Sequence, residues 1–219
     1  MAIAKDKGFE VTALSFSYGQ RHSIELQSSV RIADHFKVEH RIFNLDFSQI
    51  GGSSLTSRIP VERRTLAEIG DRIPSSYVPA RNSIFLTIAA AFAESIGAGT
   101  IFIGANALDY SGYPDCRPEF FAAMERSINL GTRVGINGRL RISVPLQFLS
   151  KAEIIAKGKA LCVPYNLTYS CYNGREFACG ECDSCLLRLK GFMEAGLKDP
   201  IKYEKYPEFY SDFIKKIGD

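Results

Sequence analysis

Six cysteines carry the most direct chemical signal in this sequence: Cys116, Cys162, Cys171, Cys179, Cys182 and Cys185. The last four fall in the stretch CYNGREFACGECDSC, with the spacing Cys-x7-Cys-x2-Cys-x2-Cys. Thiolates bind soft and borderline metal ions, and a Cys-x2-Cys turn brings two of them onto one ion. Gly180 lies inside the first such turn and Gly174 just behind the leading cysteine, where a positive φ is cheap for glycine. Four thiolates make a coordinatively closed, structural zinc site. The same run also serves iron–sulfur clusters, so spacing leaves both ions open. Cys116 has no histidine near it in sequence to activate it and is expected to pack. The histidines His22, His35 and His40 form no ligand spacing, and the last two are expected at the surface.

Three further stretches group basic and hydrogen-bonding residues. YGQRH supplies Tyr18, Gly19, Gln20, Arg21 and His22; VPARN supplies Arg81 and Asn82. NALDYSGYPDCR supplies Ser111, Tyr113, Asp115 and Arg117. Arginine forks and helix N-termini both suit anions, so an anionic ligand is implied.

The elements that must position these residues alternate. Strands are predicted over 10–18, 39–44, 100–104 and 140–145. Helices are predicted over 23–37, 83–97, 117–130, 150–161 and 185–195. Asn82 or Ser83 is the expected N-cap of the 83–97 helix, Gly97 its stop, and Ser150 the N-cap of the helix beginning there. Residues 51–80, rich in Gly, Ser, Pro and charge, are expected to form a long loop or lid. This pattern argues for an α/β protein with an open parallel sheet and helices on both faces. The expected division is an α/β unit over 1–165 and a metal-binding segment with tail over 166–219. In such sheets ligands bind beyond the carboxyl ends of the strands, where the three stretches fall.

Composition excludes more than it identifies. Apolar residues are 46% and charged residues 23% of 219, which rules out disordered, collagen-like and coiled-coil classes. The most apolar run, 84–93, falls short of the roughly 20 residues of a membrane span. The opening MAIAKDKGFE lacks the apolar region of a signal peptide, so a reducing cytoplasm is expected. A net charge of 27 − 24 = +3 with no basic stripe argues against a nucleic-acid partner.

Taken together, FSYGQRH, VPARN, DYSGYPDCR, VPL with KAEI, and YSCYNG with CGECDSC resemble the 7-cyano-7-deazaguanine synthases, in that family's order from residue 16 to residue 188. Ala80 departs from the family, which often has glycine there. The resemblance implies an adenine-nucleotide α-hydrolase-like fold and an ATP-dependent carbon–nitrogen ligase of queuosine and archaeosine precursor biosynthesis. The implied substrates are 7-carboxy-7-deazaguanine, ammonia and ATP with Mg2+. It further implies one zinc ion on Cys171, Cys179, Cys182 and Cys185, and a homodimer. Tyr18, Gly19, Gln20, Arg21 and His22 would lie by the nucleotide, with Arg81 and Asn82 facing the phosphates or the acyl-adenylate. Ser111, Tyr113, Asp115 and Arg117 would recognise the deazaguanine and its carboxylate. Arg81, Asp115 and Lys151 would act in catalysis, Lys151 on the leaving group.

The family's Ser-Gly-Gly-x-Asp-Ser phosphate loop is not found in the sequence; Gly51-Gly52-Ser53-Ser54 lies in the lid-like region. Residues 1–8 resemble the back half of the helix that follows that loop. The expectation is a front end shortened by about 20 residues, two strand edges left exposed or a rearrangement forced, and ATP bound poorly or not at all. Two other readings compete: a tRNA-thiolating ATP-pyrophosphatase with an iron–sulfur cluster, and a non-catalytic zinc-binding interaction module.

Overall fold

A computed structural model describes residues 1–20, 24–70, 72–107 and 113–218. Arg21, His22 and Ser111 lie outside the described residues. Among the described residues no helix is long and apolar enough to cross a membrane.

Helices and strands alternate as the hydrophobic pattern predicts. After helix α1 (Ala2–Asp6) come strand β1 (Thr12–Ser17), helix α2 (Ile24–Phe36) and strand β2 (Glu39–Asn44). Helix α3 (Arg81–Ile96), strand β3 (Thr100–Phe102), helix α4 (Pro118–Gly131), helix α5 (Arg133–Asn137) and strand β4 (Arg141–Ser143) follow. Helices α6 (Lys151–Ala160), α7 (Asp183–Glu194) and α8 (Glu208–Ile217) complete the order. The five-residue α5 and the amphipathic α8 inside the tyrosine-rich tail were not expected from the sequence.

The caps show which signals governed the helix ends. Ser150 caps α6 in a full capping box: its hydroxyl accepts from the Glu153 amide, and the Glu153 carboxylate accepts from the Ser150 amide. Gly97, at φ 73, ends α3 in the left-handed conformation. The start of α3 differs from expectation. Its N-cap is Ala80, at φ 53, and Asn82 lies within the first turn. Asn82 caps nothing because its side chain donates to the Asp115 carbonyl at 3.0 Å. His40 also departs from the surface role expected of it: it is half-buried, with Nε2 2.9 Å from Ser15 Oγ across the β1–β2 pair.

Among the described residues all strand pairing is parallel, but the strands form two sheets rather than one. β1 pairs β2 from Thr12↔Glu39 to Ser17↔Asn44, and β3 pairs β4 from Thr100↔Arg141 to Phe102↔Ser143. The far edges of β1 and β3 line one cavity of about 800 Å³, walled also by α3 through Phe85, Ala89 and Phe92. The two half-sheets therefore face each other across a space instead of hydrogen-bonding.

Three apolar clusters hold these parts together. One joins Tyr18, Phe47, Leu55 and Val78; a second joins Ala90, Ala93, Ile128 and Leu140. The third surrounds the cysteines and includes Ile155 of α6, Leu189 and Phe192 of α7, Tyr203 and Tyr210. The expected boundary near residue 165 thus has a core running across it.

Candidate active site and metal centre

The turn before α3 aims Arg81 inward. The left-handed Ala80 directly precedes it, and the Ala80 amide donates to the Tyr77 hydroxyl at 3.3 Å. The Arg81 guanidinium carbon then lies 5.9 Å from the centre of the Tyr113 ring, within cation–π range. Burial works against its charge, but Tyr18, Tyr113 and Asp115 outweigh burial and hold its pKa above the ordinary arginine value.

Asp115 is 5% exposed. Its Oδ2 accepts from the Asn82 amide at 3.1 Å, which ties the Pro114–Cys116 turn to the first turn of α3. Asp115 Oδ1 is buried with no hydrogen-bond partner among the described residues. A buried acceptor without a donor is rare, so this oxygen is suited to a ligand N–H. The Tyr113 hydroxyl lies 2.9 Å from Ser76 Oγ and 3.5 Å from the Tyr172 hydroxyl, and its ring is 5.9 Å from that of Tyr77.

Around this centre the other candidates divide. Tyr18 is buried beside Arg81; burial raises its phenol pKa, and Arg81 opposes that rise. Gly19 is exposed at φ 80, where a turn needs a left-handed residue. Gln20 folds back on its own strand, accepting from the Tyr18 amide at 2.7 Å and donating to the Phe16 carbonyl at 3.3 Å. Lys151 is half-buried at the start of α6, and its charge reaches Cys116. Arg117 is solvent-exposed, its Nε donating to the Pro114 carbonyl at 3.1 Å, apart from the buried cluster. Cys116 is buried; burial first, then the Asp115 charge, pushes its thiol up to about 11. Its thiol is therefore protonated at neutral pH, as suits a packing residue.

Three residues of this cluster were not singled out from the sequence. Glu25, in the first turn of α2, is half-buried and interacts with Arg81; burial raises its carboxyl pKa and Arg81 opposes the rise. Its signal was a carboxylate just past the YGQRH stretch. Tyr172 adjoins a cysteine ligand candidate, and burial pushes its phenol well above the ordinary value. Ser76 left no signal, since it lies in a segment already dense in serine and proline.

The four clustered cysteines are all buried, and their Sγ atoms lie within 4.8 Å of one another. Cys179 and Cys185 Sγ are 3.9 Å apart. Sulfurs on one tetrahedral zinc with bonds of about 2.3 Å stand about 3.8 Å apart, so the set fits a metal of that kind. Backbone amides of Asn173 and Cys179 donate to Cys171 Sγ at 3.4 and 3.3 Å, and those of Glu181 and Cys182 donate to Cys179 Sγ at 3.4 Å each. Such donors stabilise thiolates and orient them as ligands. Gly180 sits in this knuckle at φ 77, and a Cβ there would overlap the Lys205 carbonyl oxygen. The four cysteines could hold a metal ion, and Tyr172 links them to the Arg81–Tyr113 cluster.

Comparison with known proteins places the chain in a family. The family model for queuosine biosynthesis protein QueC matches residues 1–196. The chain is 60% identical over 216 residues to the 7-cyano-7-deazaguanine synthase of Thermoplasma acidophilum, covering 99% of this chain and 91% of that protein. It is 58% identical over 217 residues to the enzyme of that name from Thermoplasma volcanium, covering 99% and 90%. To that from Geobacter sulfurreducens it is 56% identical over 208 residues, covering 93% and 86%.

Proposed function

From the premise that this chain belongs to the queuosine biosynthesis QueC family, we propose that it converts 7-carboxy-7-deazaguanine, ammonia and ATP into 7-cyano-7-deazaguanine. The observation that carries the site assignment is the convergence of Tyr18, Arg81, Asn82, Tyr113 and Asp115 on one buried cluster from three separate stretches of chain.

The chemistry needs what this cluster offers. A carboxylate is a poor electrophile, so ATP adenylates it and pyrophosphate leaves. Ammonia attacks the acyl carbon, AMP departs, and an amide and a proton result. A second adenylation of the amide oxygen lets AMP carry that oxygen away, and loss of the two amide protons leaves the nitrile. Arg81, charged and held in place by tyrosines, is positioned for the negative charge that develops on the acyl-adenylate. Asp115 Oδ1 is the acceptor for the N–H groups of the deazaguanine ring. Lys151 would supply charge to the departing phosphate, and Tyr18 the nucleotide side of the pocket. Arg117 is assigned to the substrate carboxylate, which requires its side chain to turn inward on binding. The four cysteines would hold one zinc ion, which bears on structure rather than on the reacting atoms because four thiolates leave no open coordination position.

The two half-sheets support a nucleotide α-hydrolase-like reading of the fold. An extended strand inserted between β1 and β3, parallel to both, would join them into one open sheet and fill the cavity. Residues 1–165 are then the nucleotide-binding unit and 166–219 the metal-bearing appendage docked on α6.

The test is ATP-dependent formation of the nitrile by the purified protein, followed by mass spectrometry, with Arg81→Met and Asp115→Ala beside it. Each variant is expected to lose about 100-fold or more in kcat/KM. Near-normal turnover by either would remove that residue from the reaction, and a parent protein that makes no nitrile under any condition would overturn the function.

A further inference from the structure

We propose that Arg64 is a positioning residue, which ties the long 45–80 segment to the cysteine centre and thereby sets the Ser76–Tyr113 wall of the active site. The kinetic part of this inference rests on the function proposed above; the structural part does not.

Between β2 and α3, among the described residues, the chain from 45 to 80 holds no regular element. Such a segment needs specific ties to hold one conformation. At its base the Ser54 amide donates to the Ser75 carbonyl at 2.7 Å, closing residues 54–75 into a loop, and Ser53 and Ser54 are fully buried. Immediately beyond that tie, Ser76 Oγ meets the Tyr113 hydroxyl at 2.9 Å. Near the middle of the loop two consecutive arginines reach the cysteine knuckle. Arg63 pairs with Glu181 at 3.0 Å and Arg64 with Asp183, so the two pairs straddle Cys182.

The two pairs differ in kind. The Arg63 side chain is 70% exposed, and an ion pair of that sort contributes little. The side chains of Arg64 and Asp183 are 7% and 9% exposed; Arg64 Nε and Nη2 both donate to Asp183 Oδ2, at 2.9 and 2.5 Å. Arg64 Nη1 and Asp183 Oδ1 are buried without a hydrogen-bond partner among the described residues. A buried pair with bonds left unmade is a poor way to gain stability, and an apolar pair of similar volume would do as well. What such a pair does well is fix register, since only one placement of the loop brings the guanidinium to the carboxylate. Asp183 opens α7 directly after Cys182, so the loop is registered against the cysteine knuckle. The path runs from the knuckle through Asp183 and Arg64 to the closed loop, Ser76 and Tyr113.

Limited digestion with thermolysin and steady-state kinetics test this on the full chain. Arg64→Ala is expected to speed cleavage within residues 57–75 about tenfold and to raise the KM for 7-carboxy-7-deazaguanine about tenfold, with bound metal per chain and the KM for ATP unchanged. Arg64→Lys, which keeps the charge, should recover part of both effects, and Arg63→Ala should match the parent in both. If Arg64→Ala does not fold, Arg64→Lys against Arg63→Ala carries the comparison. Cleavage and KM at parental values in Arg64→Ala, or in Arg64→Lys where it stands alone, would overturn the proposal. So would loss of the metal, which would make Arg64 a support of the cysteine centre instead. A parent protein without ligase activity would sink the function while leaving the digestion result to decide the tie.

Discussion

A single alanine shows how closely backbone conformation and site chemistry are linked here. Ala80 holds φ 53, a left-handed conformation that costs a non-glycine residue about 1–2 kcal/mol, and the next residue is Arg81. Glycine, which the resemblance implies at this position, adopts that φ without the cost. Ala80→Gly is expected to raise Tm by about 2 °C, the relief of strain exceeding the added backbone entropy, as read by calorimetry. Cys116 gives a prediction in pH. Its folded pKa of about 11 lies above the ordinary 9.0, so the folded state holds its proton longer than the unfolded chain. The stability it contributes is full below pH 9 and is lost as pH rises from about 9 to about 11. Denaturant melts of Cys116→Ala against the parent should therefore converge across that window. A constant gap would mean that the thiol does not titrate as described.

At the scale of elements, the ends of helices and the cysteine knuckle matter most. The capping box of α6 presents Lys151 at its first position, so Ser150→Ala is expected to destabilise the chain by about 1 kcal/mol and to lower activity through Lys151. Ser150→Asp, which can still cap, should restore stability. In the knuckle, the left-handed Gly180 packs against the Lys205 carbonyl with no room for a side chain. Gly180→Ala should release the bound metal, measured by a colorimetric chelator, at concentrations where the parent retains it. The two-arginine contact with this knuckle extends the same element outward to the 45–80 segment.

For the whole molecule, the unusual feature is a parallel sheet in two halves. β1 has β2 on one side and the cavity on the other. In a parallel ladder, alternate amides of a strand point to opposite neighbours. Hydrogen exchange along 12–17 should accordingly alternate, with the amides bonded to β2 protected and those facing the cavity fast. Uniform protection along β1 would mean that a strand fills the space and the sheet is continuous.

Much of this was legible before any coordinates, for physical reasons that differ by element. The helices α3 and α6 could be read because apolar period and local caps are short-range signals, as Gly97 and Ser150 show. The cysteine set could be read because metal ligation demands a fixed residue type at fixed spacing, and the four sulfurs do meet. The start of α3 could not, because Asn82 gave up its capping role to bond Asp115, 33 residues away. Glu25 gave only its place just past the YGQRH stretch, and Ser76 and Arg64 were silent in sequence. Each matters through a partner distant in the chain: Arg81, Tyr113 and Asp183. The sequence by itself determined the alternation of elements and the spacing of the cysteine set, which rest on local pattern and residue type, while its chemistry was implied by resemblance to a family. Only the tertiary structure decided which side chains share a buried space, because burial and charge pairing depend on chain segments that meet only on folding.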